Sequence, residues 1–94
     1  MLIREVLILR PTIEKIWRKH HVIENEVDEV FESRPKFQRV ENGDIEGEDL
    51  YGAYGQTGAG RHLAVFFIYK LSHDALVISA RDMNKSERRR YAKT

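Results

Sequence analysis

Residues 78–91 read Ile78-Ser79-Ala80-Arg81-Asp82-Met83-Asn84-Lys85-Ser86-Glu87-Arg88-Arg89-Arg90-Tyr91. The residue pattern changes midway. Up to Arg81 it continues a strand that begins near Ala75. From Asn84 it becomes helical, because Asn84 is a good helix cap and Glu87, three residues later, completes a capping box. A strand therefore runs almost directly into a helix spanning Lys85 to about Lys93. Alternation of side chains along the strand is expected to place Arg81 on the same face as Val77 and Ser79.

Working outward, His62 to Lys70 is the strongest strand signal. Leu63, Val65, Phe67 and Tyr69 alternate with Ala64, Phe66 and Ile68, so both faces are apolar, as in a central strand. Ser72-His73-Asp74 supplies the turn to the 75–81 strand, which pairs with it antiparallel. Lys36 to Val40 and Asp49 to Tyr54 are two further strands, joined through an Asn42-Gly43-Asp44 turn signal. Gly55 to Gly60 is a glycine-rich connection. It is not a phosphate-cradling loop, since no Lys-Ser/Thr follows and the next element is a strand.

Toward the amino terminus, residues 2–9 are rich in strand formers and end at Arg10-Pro11, so a short first strand is expected there. Pro11 suits the first turn of a helix, and Ile13, Ile16, Trp17 and His20 recur at helical spacing, giving a helix over Pro11 to His20. A second helix covers Glu24 to Ser33, with Val27, Val30 and Phe31 as its apolar stripe, and Arg34-Pro35 stops it. The predicted fold is α+β: an antiparallel sheet of four to five strands with two N-terminal helices and one C-terminal helix.

The 94 residues correspond to one domain, 1–94, with 41% hydrophobic and 33% charged content, ordinary for a compact soluble chain. There is no cysteine, which excludes disulfides and thiolate metal ligands. The longest apolar runs cannot span a bilayer, and no signal-peptide pattern is seen, so a cytoplasmic protein with no membrane partner is expected. The net charge of +1 conceals an asymmetry: residues 1–23 carry +3, residues 24–49 carry −7 and residues 50–94 carry +5. Basic ends attract phosphate, and an acidic middle attracts a basic partner.

Arg81 ends a strand just before a helix N-terminus, a favourable place for a phosphate; the plain alternative is a strand-end arginine paired with an acidic side chain. Arg88, Arg89 and Arg90 point about 100° apart and cannot all face one ligand, whereas Arg88 and Glu87 each share a face with Tyr91. Arg61 opens the central strand and is expected to aim a second cation at the pocket of Arg81. His62 points to the opposite face. His20 and His21 invite a metal reading, but neighbours diverge on a helix and no third ligand stands at suitable spacing, so no metal is expected. His20 is expected to lie beside Trp17 or at the helix dipole. No Ser-His-Asp or Cys-His set is present. What remains is a set of cations, histidines and a tyrosine. Such a set suits metal-independent, cofactor-free RNA cleavage, in which the substrate's own 2′-hydroxyl attacks phosphorus.

Lys19-His20, the stretch Val27 to Phe31, Tyr51, Gly60-Arg61, Ile78-Ser79-Ala80-Arg81, Glu87-Arg88-Arg89 and Tyr91 together resemble the BrnT toxin pattern in order and spacing, over about residues 13 to 92. The resemblance implies a RelE-like ribonuclease toxin of a type II toxin–antitoxin pair that represses translation. It further implies a cognate antitoxin, usually with a ribbon-helix-helix part, through which the complex reaches operator DNA. Under this ribonuclease reading the catalytic candidates are Arg61, Arg81, Glu87, Arg88, Tyr91 and His20, and the RNA-binding candidates are Lys19, His62, Lys70, Lys85 and Arg89. The chain departs from the pattern in having His21 where glycine is common, Asp82 where a basic residue is common, and Lys70 where arginine is common. The departures at Asp82 and Lys70 motivate an alternative reading as a non-catalytic BrnT-like module that binds antitoxin or RNA. A third reading is a structural subunit whose basic surface meets an acidic protein.

Overall fold

The computed structural model describes residues 1–41, 43 and 46–93. Asn42 and Asp44 of the predicted turn lie outside the described residues. The elements are β1 (Val6–Leu7), α1 (Arg10–His20), α2 (Glu24–Glu32), β2 (Lys36–Glu41), β3 (Leu50–Gln56), β4 (His62–Tyr69), β5 (Ala75–Asp82) and α3 (Lys85–Ala92). The strands form one sheet in the order β1-β5-β4-β3-β2, so the apolar segment 62–69 has a neighbour on each side, as its two-faced pattern requires.

Two expectations are corrected here. The first strand is only two residues long, and it runs parallel to β5, with Val6 opposite Ala75 and Leu7 opposite Leu76. The sheet is therefore mixed, not wholly antiparallel. The apolar residues before β1 and after it do not pair as strand: Ile3 and Ile8 instead pack against the core as partly buried side chains. Downstream, β3 continues to Gln56, because Gly55 and Gln56 still pair with Leu63 and His62. The glycine-rich connection shrinks to a tight turn in which Thr57 and Arg61 bond through their backbones.

One face of the sheet is covered by α1 and α2. Ile16, Val22, Val27 and Val30 meet Ala53, Leu63, Val65, Phe67, Ala75, Val77 and Ala80 in a fully dehydrated core. Gly55 permits the close approach of α2, since a Cβ there would fall 2.7 Å from the Ser33 hydroxyl and 3.3 Å from Val30. The other face carries a smaller cluster of Tyr54, Ala64 and Met83, with Phe66 and Tyr91 against it, under α3. This helix covers only one end. On the same face a transverse row of Leu7, Leu76, Ile68 and Leu50 is left partly exposed.

Register along β5 shifts between its two halves. Phe66 pairs with Ser79 but Phe67 pairs with Val77, so Ile78 is an extra residue, a β-bulge. The bulge resets the alternation. Val77 faces α1 and α2, whereas Ser79 and Arg81, opposite Phe66 and Ala64, face α3. The predicted shared face for Val77, Ser79 and Arg81 is therefore split. Lys15 of α1 reaches across to donate to the Ile78 carbonyl at 2.5 Å, supplying a partner at the irregularity.

Candidate functional site

Arg61 and Arg81 leave the same end of the sheet on opposite faces. Leu63 and Val65, which share the parity of Arg61, belong to the α1/α2 core, and Ala64, opposite Arg81, lies under α3. The expected single pocket for both arginines does not form, because the β4–β5 pairing fixes their parities apart.

On the α1/α2 side, Arg61 is enclosed. Its Nε and Nη2 donate to the two Asp82 carboxylate oxygens at 2.8 and 3.1 Å. Nη1 donates to the His21 carbonyl at 2.9 Å and to Glu26 at 3.1 Å, and Nη2 also donates to the His20 carbonyl at 2.9 Å. A guanidinium has five N–H donors, and these contacts occupy all of them. Arg61 thus ties the end of α1, the start of α2 and the end of β5 together. Glu26 serves twice, since it also accepts from the Ile23 amide at the α2 N-terminus. The Arg61 guanidinium, followed by nearby His20, holds the Asp82 carboxyl below its ordinary range. His21 ends α1 in the left-handed region, with φ +54°, which is why glycine suits this position. The His20 side chain is half-buried, but it is the His21 ring, not that of His20, that meets Trp17, edge to face at 5.0 Å. Trp17 itself is 53% exposed, so it does not join the apolar stripe expected of it.

On the α3 side, Arg81 forms a bidentate pair with Glu87, at 2.7 and 2.9 Å, and also donates to the Asp82 carbonyl. The same Glu87 carboxylate accepts from the Asn84 amide, while the Asn84 side chain accepts from the Glu87 amide. The predicted capping box is therefore present, and it is fused to the ion pair. Arg81 lowers the Glu87 carboxyl below its usual range against the opposing effect of burial. Arg81 also lies over the Phe66 ring. Its Nε and one Nη2 hydrogen have no partner among the described residues.

Beside this pair is a cleft of about 280 Å³ lined by Lys36, Gln38, Tyr54, Glu87, Arg90 and Tyr91. Lys36 clamps the far end of α3 by donating to the Tyr91 and Lys93 carbonyls. Arg90 reaches Gln38 at 3.0 Å and lies over Tyr54. Burial, then the nearby Glu87 charge, pushes the Tyr54 phenol up. The His62 and Tyr91 rings meet edge to face at 5.7 Å.

The sequence-expected residues thus fall into three groups. Arg81, Glu87, His62 and Tyr91 gather on the α3 side. Arg61 and His20 lie at the adjoining corner, linked to the first group through Asp82. Lys19, Lys85, Arg88 and Arg89 are exposed around these groups. Lys70 is separated from them: it pairs with Glu48 at 2.8 Å at the other end of β4, about 30 Å along the strand from Arg61. Of the three consecutive arginines, Arg90 lines the cleft rather than Arg88. The i, i+3, i+4 set Glu87, Arg90 and Tyr91 carried that signal. Lys36, Gln38 and Tyr54 were not singled out as site residues, because only strand pairing brings them to α3. Asp82 was noted as a departure, but its partner was not legible. Among the described residues, no three potential metal ligands converge.

A small α+β domain whose basic, histidine-containing end is assembled from three helices and two strands is compatible with the RelE-like toxins. The family model for BrnT, the ribonuclease toxin of type II toxin–antitoxin systems, matches residues 12–87. The chain belongs to that family. A search of curated proteins finds no match. Family membership brings an RNA substrate and an antitoxin partner. No helix is long and apolar enough to cross a membrane among the described residues.

Proposed function

We propose that residues 1–94 act as one toxin domain that cleaves RNA without a metal ion in the cytoplasm, represses translation and is neutralised by a cognate antitoxin. The antitoxin is of ribbon-helix-helix type and carries the complex to operator DNA. One observation supports this above the others: His20, Arg61, His62, Arg81 and the start of α3 come from separate elements to one end of the sheet.

The chemistry follows from that grouping. An imidazole, His20 or His62, removes the proton from a ribose 2′-hydroxyl. The oxygen attacks the adjacent phosphorus, the bond to the 5′-oxygen breaks, and that oxygen takes a proton from a second group. The products are a 2′,3′-cyclic phosphate and a 5′-hydroxyl. The unoccupied donors of Arg81 stabilise charge at phosphorus, with Glu87 setting its orientation. Tyr91 positions the strand beside His62. Arg61 acts by holding the corner together, since its donors are occupied. Lys19, Lys85, Arg88 and Arg89 supply diffuse attraction for the phosphate backbone.

Purified protein incubated with RNA and excess chelator is expected to yield fragments ending in 2′,3′-cyclic phosphate. Arg81→Ala should lower the cleavage rate by about 100- to 1000-fold and relieve growth arrest on induction. RNA left intact by the native chain would sink the catalytic reading. The alternative, a non-catalytic RNA- or antitoxin-binding module, is favoured by one observation: both candidate arginines are already paired with carboxylates. Salt-sensitive RNA binding without products would establish it.

A further inference from the structure

We infer that the cleft between α3 and β2 reads guanine, with Arg90 and Gln38 presenting hydrogen-bond donors to the O6 and N7 acceptors of an unpaired RNA base. This rests on the ribonuclease reading above and deepens it by naming a base preference.

Strand register places the cleft beside Arg81. Arg81, Ala64, Tyr54 and Lys36 lie in one row across β5, β4, β3 and β2. Tyr54 is therefore two strands from Arg81, about 10 Å across the sheet, with the small Ala64 between them. A base in the cleft can thus belong to the nucleotide whose phosphate meets Arg81. Tyr54 leans back along its strand over Gly52, where a Cβ would fall 2.9 Å from the phenol oxygen. Gly52 is the register partner of Gln38, so the phenol end lies on the Gln38 side. From above, α3 brings Arg90 over the Tyr54 ring at 5.9 Å and to the Gln38 Oε1 at 3.0 Å. The resulting volume of about 280 Å³ is close to the lower end of small-ligand sites, about 300 Å³.

The polar groups facing this space are donors. A guanidinium only donates, so Gln38 turns its oxygen to Arg90 and its NH2 away. That NH2 has no acceptor among the described residues. Arg90 gives one N–H to Gln38 and makes no ion pair among the described residues. The acceptor that lines the cleft, Glu87, is already committed. Both its oxygens accept from Arg81, and one also accepts from the Asn84 amide.

An occupant must therefore offer acceptors to the donors and a flat face to the Tyr54 and Tyr91 walls. Guanine carries two adjacent acceptors, O6 and N7, on one edge. Adenine has the N6 donor in place of O6, and neither pyrimidine offers such a pair there. A carboxylate from a protein partner would satisfy the donors but leave the aromatic walls without a ring to meet. An apolar side chain would leave the donors unpaired, at a cost. An unpaired base stacked beside an aromatic ring or a guanidinium plane uses both features.

The probe is a fluorescein-labelled 2′-O-methyl RNA hexamer of adenosine, which lacks the attacking hydroxyl, with or without one central guanosine. Binding is read by anisotropy. The native chain is expected to bind the guanosine hexamer roughly 5- to 150-fold more tightly. A 7-deazaguanosine in its place, without the N7 acceptor, should lose most of that preference. Arg90→Lys keeps the charge but not the planar fork, and Gln38→Ala removes the amide. Each should bring the ratio of the two affinities towards one. A purely structural tie between α3 and β2 would lower the thermal midpoint of these variants and leave the ratio unchanged. Equal binding of the two hexamers by the native chain, or a preference that survives 7-deazaguanosine or either variant, overturns the guanine site and leaves the ribonuclease reading standing. The 7-deazaguanosine comparison uses the native chain, so it decides the question even where a variant fails to fold. Variants that keep the preference but weaken binding to the purified antitoxin also overturn the site and assign the cleft to the protein partner. No binding of either hexamer by the native chain at low salt overturns both readings.

Discussion

Asp82 and Glu87 each hold one of the two arginines on which phosphate recognition was expected to depend. Asp82 is the more consequential for binding, because its side chain is 62% exposed while Arg61, its partner, is largely enclosed. A carboxylate here occupies guanidinium donors that a phosphate would otherwise use. Asp82→Asn removes the charge and retains the shape. It is expected to tighten RNA binding and to steepen the salt dependence by roughly 0.7 in the log–log slope, the value of one added phosphate contact on a single strand. An unchanged slope in salt titrations would show that Arg61 is purely structural. Glu87 has the opposite balance. Its side chain is 7% exposed, it caps α3 and it neutralises Arg81. Glu87→Gln should destabilise the chain by about 2 kcal/mol, because a partly buried guanidinium loses its charged bidentate partner while the cap oxygen is kept. Urea unfolding measures this through its midpoint.

At the scale of elements, the bulge at Ile78 decides which face each β5 side chain occupies. Without it Val77 and Arg81 would share a face, and either the core would receive a guanidinium or α3 would lose its anchor. Lys15 supports the irregular backbone through the Ile78 carbonyl, linking α1 to β5. Lys15→Met keeps the aliphatic stem and removes the donor. It is expected to cost about 1–2 kcal/mol, the penalty for a partly buried carbonyl left without a partner, as a lower thermal midpoint. A neutral effect would mean that water replaces the ammonium. The same element explains part of what sequence reading could reach. The strand-to-helix change at Asn84, the capping box and the central character of 62–69 were all legible, because each depends on residues close in the chain. The bulge was not, since it arises from pairing between two strands.

For the whole molecule, several carboxylates stabilise the fold in their charged form. Arg61 lowers Asp82, Arg81 lowers Glu87, and Lys70 with the Leu71 amide lowers Glu48. Their folded pKa values lie below those of the unfolded chain, so the contribution is fully present above the unfolded values and is lost as pH falls through the folded ones. Thermal midpoints should be flat above about pH 5 and decline below about pH 4. A midpoint that holds steady to pH 2 would show that these pairs contribute little. The loss should be smallest for the solvent-screened Asp82 pair, so Glu87→Gln should flatten the profile more than Asp82→Asn does.

The amino-acid sequence by itself determined the α+β class, the two amphipathic helices, the central strand, the capped final helix and the family pattern. These rest on periodicity, capping and local turn chemistry, which act within a few residues. It also showed that three consecutive arginines could not serve one ligand. Tertiary structure alone decided the rest. Strand pairing put Arg61 and Arg81 on opposite faces, placed Lys36 and Tyr54 beside Arg90, and turned the short first strand parallel. Chain packing left Trp17 in solvent and gave Asp82 to Arg61. Side-chain partners come from residues distant in the chain, and a shift of one residue in register exchanges the faces they occupy.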